Sequence, residues 1–229
     1  LTSHLQNERW SVSGTGAATA KLFASYGGLL SVIGRNEQRL ANVAAVCEAT
    51  RGNRPLCILL DLTLNNSCEE IVRKTIETYG KIDVLINCAG KPLMTSLFDK
   101  SLDIFDELFA LNLRVPYKLT QLCVPHLVKT KGNIVNVFGA PTRPRPGFIP
   151  YSMMKEALER FTKSAALELM SQGVRINAVR PGITRTNMLT NFNVDKEQVD
   201  AVYSIIADQL WTVHNHYTNI LIITYETVR

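Results

Sequence analysis

A chain of 229 residues, 46% hydrophobic and 20% charged, is long enough for one globular domain with a full core. Its net charge of +5 comes from scattered Lys and Arg, with no stripe beyond short pieces such as VKTKG at 128–132, which argues against a nucleic-acid partner. No apolar run approaches the ~20 residues of a membrane span, so no membrane partner is expected either.

The chain opens on Leu1, which leaves a fragment, a processed end and an alternative product all open, and its first stretch, LTSHLQNE, is polar without a strand pattern. SGTG at 13–16 opens a helical stretch, AATAKLFASYG. Closely spaced glycines at a helix start let backbone N–H groups approach a pyrophosphate, although four residues alone are a weak signal. A strand is expected at 29–34, a helix at 36–50, a strand at 55–61 and a helix at 68–80. Further strands are expected at 82–90, 132–139 and 174–182, with long helical stretches at 104–128 and 156–173 between them. The strands are short, β-branched and apolar on both faces. Such alternation implies a doubly wound parallel sheet, three layers deep as α/β/α, whose ligands bind at the carboxyl ends of the strands. One Rossmann-type domain covers residues 1–229, with 1–12 and 210–229 atypical.

The strand ends carry the chemistry. Gly34 is followed by Arg35 where an acidic residue would hold a ribose 2′-hydroxyl, and a guanidinium can pair with a 2′-phosphate, so NADP is favoured over NAD. Asp61 and Leu62 close the strand expected at 55–61, and Asn87, Ala89 and Gly90 form a tight turn after the next strand. Tyr151 and Lys155 stand one helical turn apart. That spacing lets an ammonium stabilise a phenolate and lower its pKa, making the tyrosine a general acid or base.

These motifs, in this order, resemble a short-chain dehydrogenase/reductase of the 3-oxoacyl-reductase-like kind, from about Ser13 to Gln209. The glycine turn is matched in part by Gly14 and Gly16, the adenine-side aspartate by Asp61, the N-N-A-G turn by Asn87, Cys88, Ala89 and Gly90, and the P-G turn by Pro181 and Gly182. The resemblance implies catalytic roles for Tyr151, Lys155 and Asn112. It further implies cofactor contacts from Gly14, Gly16, Arg35, Asp61, Leu62, Asn87, Ala89, Gly90, Tyr151, Lys155, Pro181, Gly182, Thr184 and Thr186, and a small carbonyl or secondary alcohol as substrate. In the family the lysine also bonds the nicotinamide ribose and the asparagine holds a relay water.

Three departures from the family stand out. Its catalytic serine lies thirteen residues before the tyrosine, which here is Phe138, and the loop is one residue short. Neither Thr142 nor Ser152 is placed to substitute, so a loss of ~10²–10³ in rate is expected. Trp10 stands where the glycine turn begins and Arg9 replaces its threonine, so the first strand is expected to be defective in the middle of the sheet. After YSIIADQL the chain departs into WTVHNHYTNILIITYETVR, where the family places its last strand and part of a subunit interface. NILIITY reads there as a makeshift strand, and a homo-oligomer is expected to be weakened.

The five cysteines are odd in number and form no C-x-x-C pair, which fits reduced thiols in the cytoplasm. No secretory signal is recognised, so the sequon Asn65–Asn66–Ser67 carries little weight. His214 and His216 on a polar stretch make no metal site. Two readings follow: an impaired NADP-preferring oxidoreductase, or a non-catalytic relative that binds cofactor or a partner or is a degenerate product.

Overall fold

A computed structural model describes residues 14–139 and 146–181, together with the backbone of 220–223. The strands β1 (Leu30–Gly34), β2 (Leu56–Leu59), β3 (Val84–Asn87), β4 (Asn133–Val137), β5 (Arg175–Val179) and β6 (Ile220–Ile223) form one sheet in the order β2-β1-β6-β3-β4-β5, and all its pairs are parallel. Ile222 pairs with Val32 on one side and Ile86 on the other.

The first strand expected to be defective falls on residues 1–12, outside the described residues. The central place is filled, by Ile220–Ile223 from the far end of the sequence, because a four-residue apolar strand satisfies the facing N–H and C=O groups of β1 and β3 whatever its place in the chain. No described strand lies beyond β5, so the last strand is central instead of peripheral. The two edges also differ from expectation. Cys57 and Leu59 of β2 are exposed, as is every residue of β5 except Ile176, so neither strand is covered on both faces.

Helices α1 (Thr15–Ser25) and α2 (Glu37–Arg51) cover one face, against Leu30, Val32, Val84 and Ile86. The buried side of α1 is Gly16, Ala17, Ala20 and Ala24, small residues that let the helix lie close to the sheet. On the other face α3 (Ser67–Tyr79), α5 (Val115–Thr130) and α6 (Ile149–Leu169) enclose Ile33, Ile58, Leu85, Ile134 and Ile176. Alternate strand residues thus serve opposite layers, as period two requires. Asn36 caps α2 by accepting from Arg39 N at 2.9 Å, and Gly52 ends it at φ 80°, a left-handed value that glycine adopts without strain. None of the described helices is long and apolar enough to cross a membrane.

The 104–128 stretch is not one helix. It divides into α4 (Asp103–Phe109), a π-helical turn (Ala110–Arg114) and α5. Pro116 gives the physical reason: it has no N–H for the Asn112 carbonyl four residues back, so the α-helical ladder cannot continue there.

Candidate active site at the carboxyl edge of the sheet

Helix α6 begins beside the end of β4, and Pro150 in its first turn needs no N–H partner. Tyr151 and Lys155 follow one turn apart and both are buried, at 7% and 6% exposure. Lys155 Nζ lies 5.8 Å from the Tyr151 ring centroid and donates to the Val137 carbonyl at 3.4 Å. Asn112, fully buried in the π turn, comes to the same place. Its Oδ1 accepts from Lys91 N at 3.1 Å, while its Nδ2 donates to Lys91 O at 3.0 Å and Leu108 O at 3.2 Å. Gly90 closes the group: a Cβ there would stand 2.7 Å from Asn112 Oδ1 and 3.1 Å from Lys155 Nζ. The three side chains expected to do chemistry are therefore brought together.

Burial pushes the Tyr151 phenol up to about 12 and the Lys155 ammonium down to about 8. The expected lowering of the phenol by the lysine is not what this arrangement gives. Burial removes both groups from water, and desolvation disfavours both charged forms before any substrate or cofactor is bound. At neutral pH the tyrosine holds its proton and is poised as an acid.

The serine position is corrected by one residue. The Phe138 ring lies under the Arg180 guanidinium, 5.7 Å from centroid to Cζ, and Arg180 is in turn ion-paired to Glu159 and, at 3.6 Å, to Glu156 of α6. The residue against the tyrosine is Gly139, where an added Cβ would fall directly on Tyr151 Oη. The one-residue shortening of the loop moves the glycine into the place counted for Phe138. Ser152 donates its N–H to Phe148 O within α6, and Thr142 lies outside the described residues.

Along the same edge, Gly14 precedes α1 at φ 95°, a value that a side chain would strain, and Gly16 is buried in the first turn. Arg35 Nη1 meets Asp61 Oδ2 at 3.3 Å, and Asp61 Oδ1 also accepts from Thr63 N at 2.8 Å. Leu62 and Ala89 are buried, and Pro181 is half-buried after β5. The Asn87 side chain is engaged within the protein. Its amide donates to Asn136 Oδ1 at 2.8 Å and to Thr120 Oγ1 at 3.4 Å, and Asn136 donates to Thr162 Oγ1 at 2.8 Å, so its side chain serves a buried network between β3, β4, α5 and α6. Gly182, Thr184, Thr186, Trp10, His214 and His216 lie outside the described residues.

Lys91 was not anticipated. Its side chain is 7% exposed and ion-paired to Glu107, and burial, with Arg35 nearby, lowers its pKa while Asp61 opposes the shift. Its peptide holds both ends of the Asn112 amide. The available signal was its place in sequence, directly after the turn that ends at Gly90. All five cysteines are free thiols, Cys57 exposed and Cys47, Cys68 and Cys123 buried. No cluster of potential metal ligands occurs among the described residues.

A parallel α/β/α sheet with Tyr, Lys and Asn gathered at its carboxyl edge defines a class, and sequence comparison assigns the family. The profile described as short chain dehydrogenase matches residues 11–197, and the chain belongs to that oxidoreductase family. It is 28% identical over 195 residues to human dehydrogenase/reductase SDR family member 4, covering 84% of this chain and 70% of that one. It is 32% identical over 178 residues to a 3-oxoacyl-acyl-carrier-protein reductase of Thermotoga maritima, covering 77% of this chain and 72% of the relative. The crystal structure of a Caenorhabditis elegans short-chain dehydrogenase/reductase of unknown function, solved with cofactor, superposes at a TM-score of 0.79 with 31% identity, over 87% of this chain and 76% of that one.

Proposed function

We propose that this protein is a slow, NADP-preferring oxidoreductase that interconverts a small carbonyl and a secondary alcohol. The observation that carries the reading is the grouping of Asn112 and Lys155 around Gly90, with the Tyr151 ring beside Lys155. A nicotinamide cofactor fits the same edge: Gly14 and Gly16 open α1 toward a pyrophosphate, Arg35 and Asp61 stand at the ends of β1 and β2, and Leu62, Ala89, Gly90 and Pro181 line the remainder. Gly182, Thr184 and Thr186 belong to the same proposed set on the strength of the resemblance. The structurally related worm dehydrogenase/reductase was solved with a cofactor, which supports this assignment.

The cofactor, when bound, supplies a hydride for the carbonyl carbon. Tyr151 gives the proton on its Oη to the carbonyl oxygen, and the Lys155 ammonium stabilises the phenolate left behind. Asn112, held at both ends by Lys91, keeps the helix break in place behind them. Tyr151→Phe is expected to lower turnover by ~10²–10⁴-fold while leaving NADPH affinity within a few-fold. Steady-state rates on a panel of ketones, with cofactor titrations beside them, check this; an unchanged rate would overturn the role of Tyr151.

The cofactor preference rests on Arg35. NADPH is expected to bind more tightly than NADH, and Arg35→Asp to reverse the order, because the guanidinium can pair with a 2′-phosphate and a carboxylate repels it. Asp61 already engages Arg35, so the preference should be modest. Equal affinities in the parent protein would sink the claim.

The presence of Gly139 against Tyr151, with no side-chain hydroxyl beside it among the described residues, favours a second reading, a relative that binds cofactor without turnover. Thermal melting separates the readings from a failure to bind: a rise with NADPH but no ketone reduction would support the non-catalytic protein, because a ligand of the native state raises the transition temperature.

A further inference from the structure

Among the described residues no side-chain hydroxyl stands beside Tyr151 to help it hold a carbonyl oxygen, yet a backbone donor does. Phe138 donates its N–H sideways to Val179 O on β5 at 2.9 Å. This bond continues the β4–β5 ladder one residue past the end of β4 at Val137, and since successive peptide groups of an extended chain face opposite neighbours, the same alternation would turn the Gly139 N–H toward the end of β3. That is the side on which Lys155 Nζ reaches the Val137 carbonyl and on which Gly90 and Asn112 lie. The β3–β4 ladder stops at Asn87 and Asn136. Among the described residues, the Gly139 N–H finds no acceptor, and Tyr151 Oη finds no partner. The two stand close together, since a Cβ on Gly139 would clash with Tyr151 Oη.

Resting on the reductase reading above, we propose that the backbone N–H of Gly139 is the second hydrogen-bond donor to the substrate oxygen, replacing a side-chain hydroxyl. As the carbonyl π electrons move onto oxygen, negative charge grows there. Tyr151 Oη–H and the Gly139 N–H meet that charge from adjacent positions, and the proton then passes from Tyr151. A backbone donor fixed by the end of a strand needs no reorganisation as the charge develops. It also commits position 139 to glycine: any side chain would compete with the tyrosine hydroxyl for one place. Gly139→Ser should therefore fail to restore a faster enzyme, because its Cβ displaces Tyr151 before its hydroxyl can help.

Two measurements test the donor itself. Phe138–Gly139 is the only Phe–Gly pair in the sequence, so carbonyl-13C phenylalanine with 15N glycine selects the Gly139 amide alone. Cyclohexanone is titrated in the presence of NADP+, which has no hydride to give. The Gly139 amide proton is expected to move downfield saturably, and to do so in Tyr151→Phe as well. Replacing the Phe138–Gly139 amide by an ester, with glycolate at position 139, removes only the N–H. It is expected to lower turnover by ~10²-fold with the melting temperature and NADPH affinity retained. Turnover by the parent with a stationary Gly139 resonance and an active ester would overturn the donor and leave the reductase reading intact. A moving resonance without turnover by any form would keep the donor and overturn the reductase reading. A stationary resonance in an inactive protein would overturn both.

Discussion

Ending the chain after Asn219 is expected to abolish cooperative unfolding, and Ile222→Pro to come close to doing so. Ile220–Ile223 carries the two inner ladders of the sheet, pairing with β1 on one side and β3 on the other. Each ladder bond contributes about 0.5–1.5 kcal/mol net, so losing both rows removes several kcal/mol from a total that is commonly ~5–15 kcal/mol. Proline at 222 withdraws the N–H and places a ring where a parallel neighbour stands on each side, a position proline does not tolerate inside a sheet. Ile222→Val, which keeps the backbone, should unfold within about 1.5 kcal/mol of the parent. Circular dichroism during urea unfolding checks all three. A truncated chain that melts as sharply as the parent would show that the central place is satisfied in some other way.

Gly90→Val is expected to remove ~10²-fold or more of any reductase turnover, because a displacement of about 1 Å in a reacting constellation costs that much. The new Cβ would stand 2.7 Å from Asn112 Oδ1, against an amide whose other contacts already fix it, and 3.1 Å from Lys155 Nζ. One of the two must yield. The stability loss should be only ~1–3 kcal/mol, the usual cost of overpacking. Gly52→Ala is the matched control: it forces a side chain into φ 80° with open space around it, far along the chain from the site. It should lower stability by about 1 kcal/mol and leave turnover alone. Equal rate losses in the two variants would reduce the Gly90 effect to one of stability.

The layered sheet was legible because strands such as 29–34 and 82–90 are dense in β-branched residues and the helices between them carry their own period. What was not legible is where a strand goes. ILII at 220–223 has the pattern of any buried strand, and nothing local says that it lies between β1 and β3, because register and neighbour are decided by which ladder is left open. The pair Tyr151 and Lys155 was readable since both lie on one helix. The residue facing them was not, since a count of thirteen assumes a loop of fixed length; here the loop is shorter and Gly139 arrives in place of Phe138. The π turn did have a signal in the sequence, Pro116 four residues after Asn112, whereas the ion pair of Lys91 with Glu107 depends on tertiary packing that no spacing announces.

The placement of β6 also bears on how the protein is made. Synthesis is vectorial, so β1 and β3 leave the ribosome long before the segment that joins them. From the emergence of Asn87 until that of Ile220, both carry an unpaired inner rim. Such rims are templates for foreign strands, and the pairings that close them here are distant in sequence, which slows folding. The half-finished sheet is thus the form most exposed to aggregation, and the yield of folded protein in a cell depends on how well those two rims are shielded during elongation.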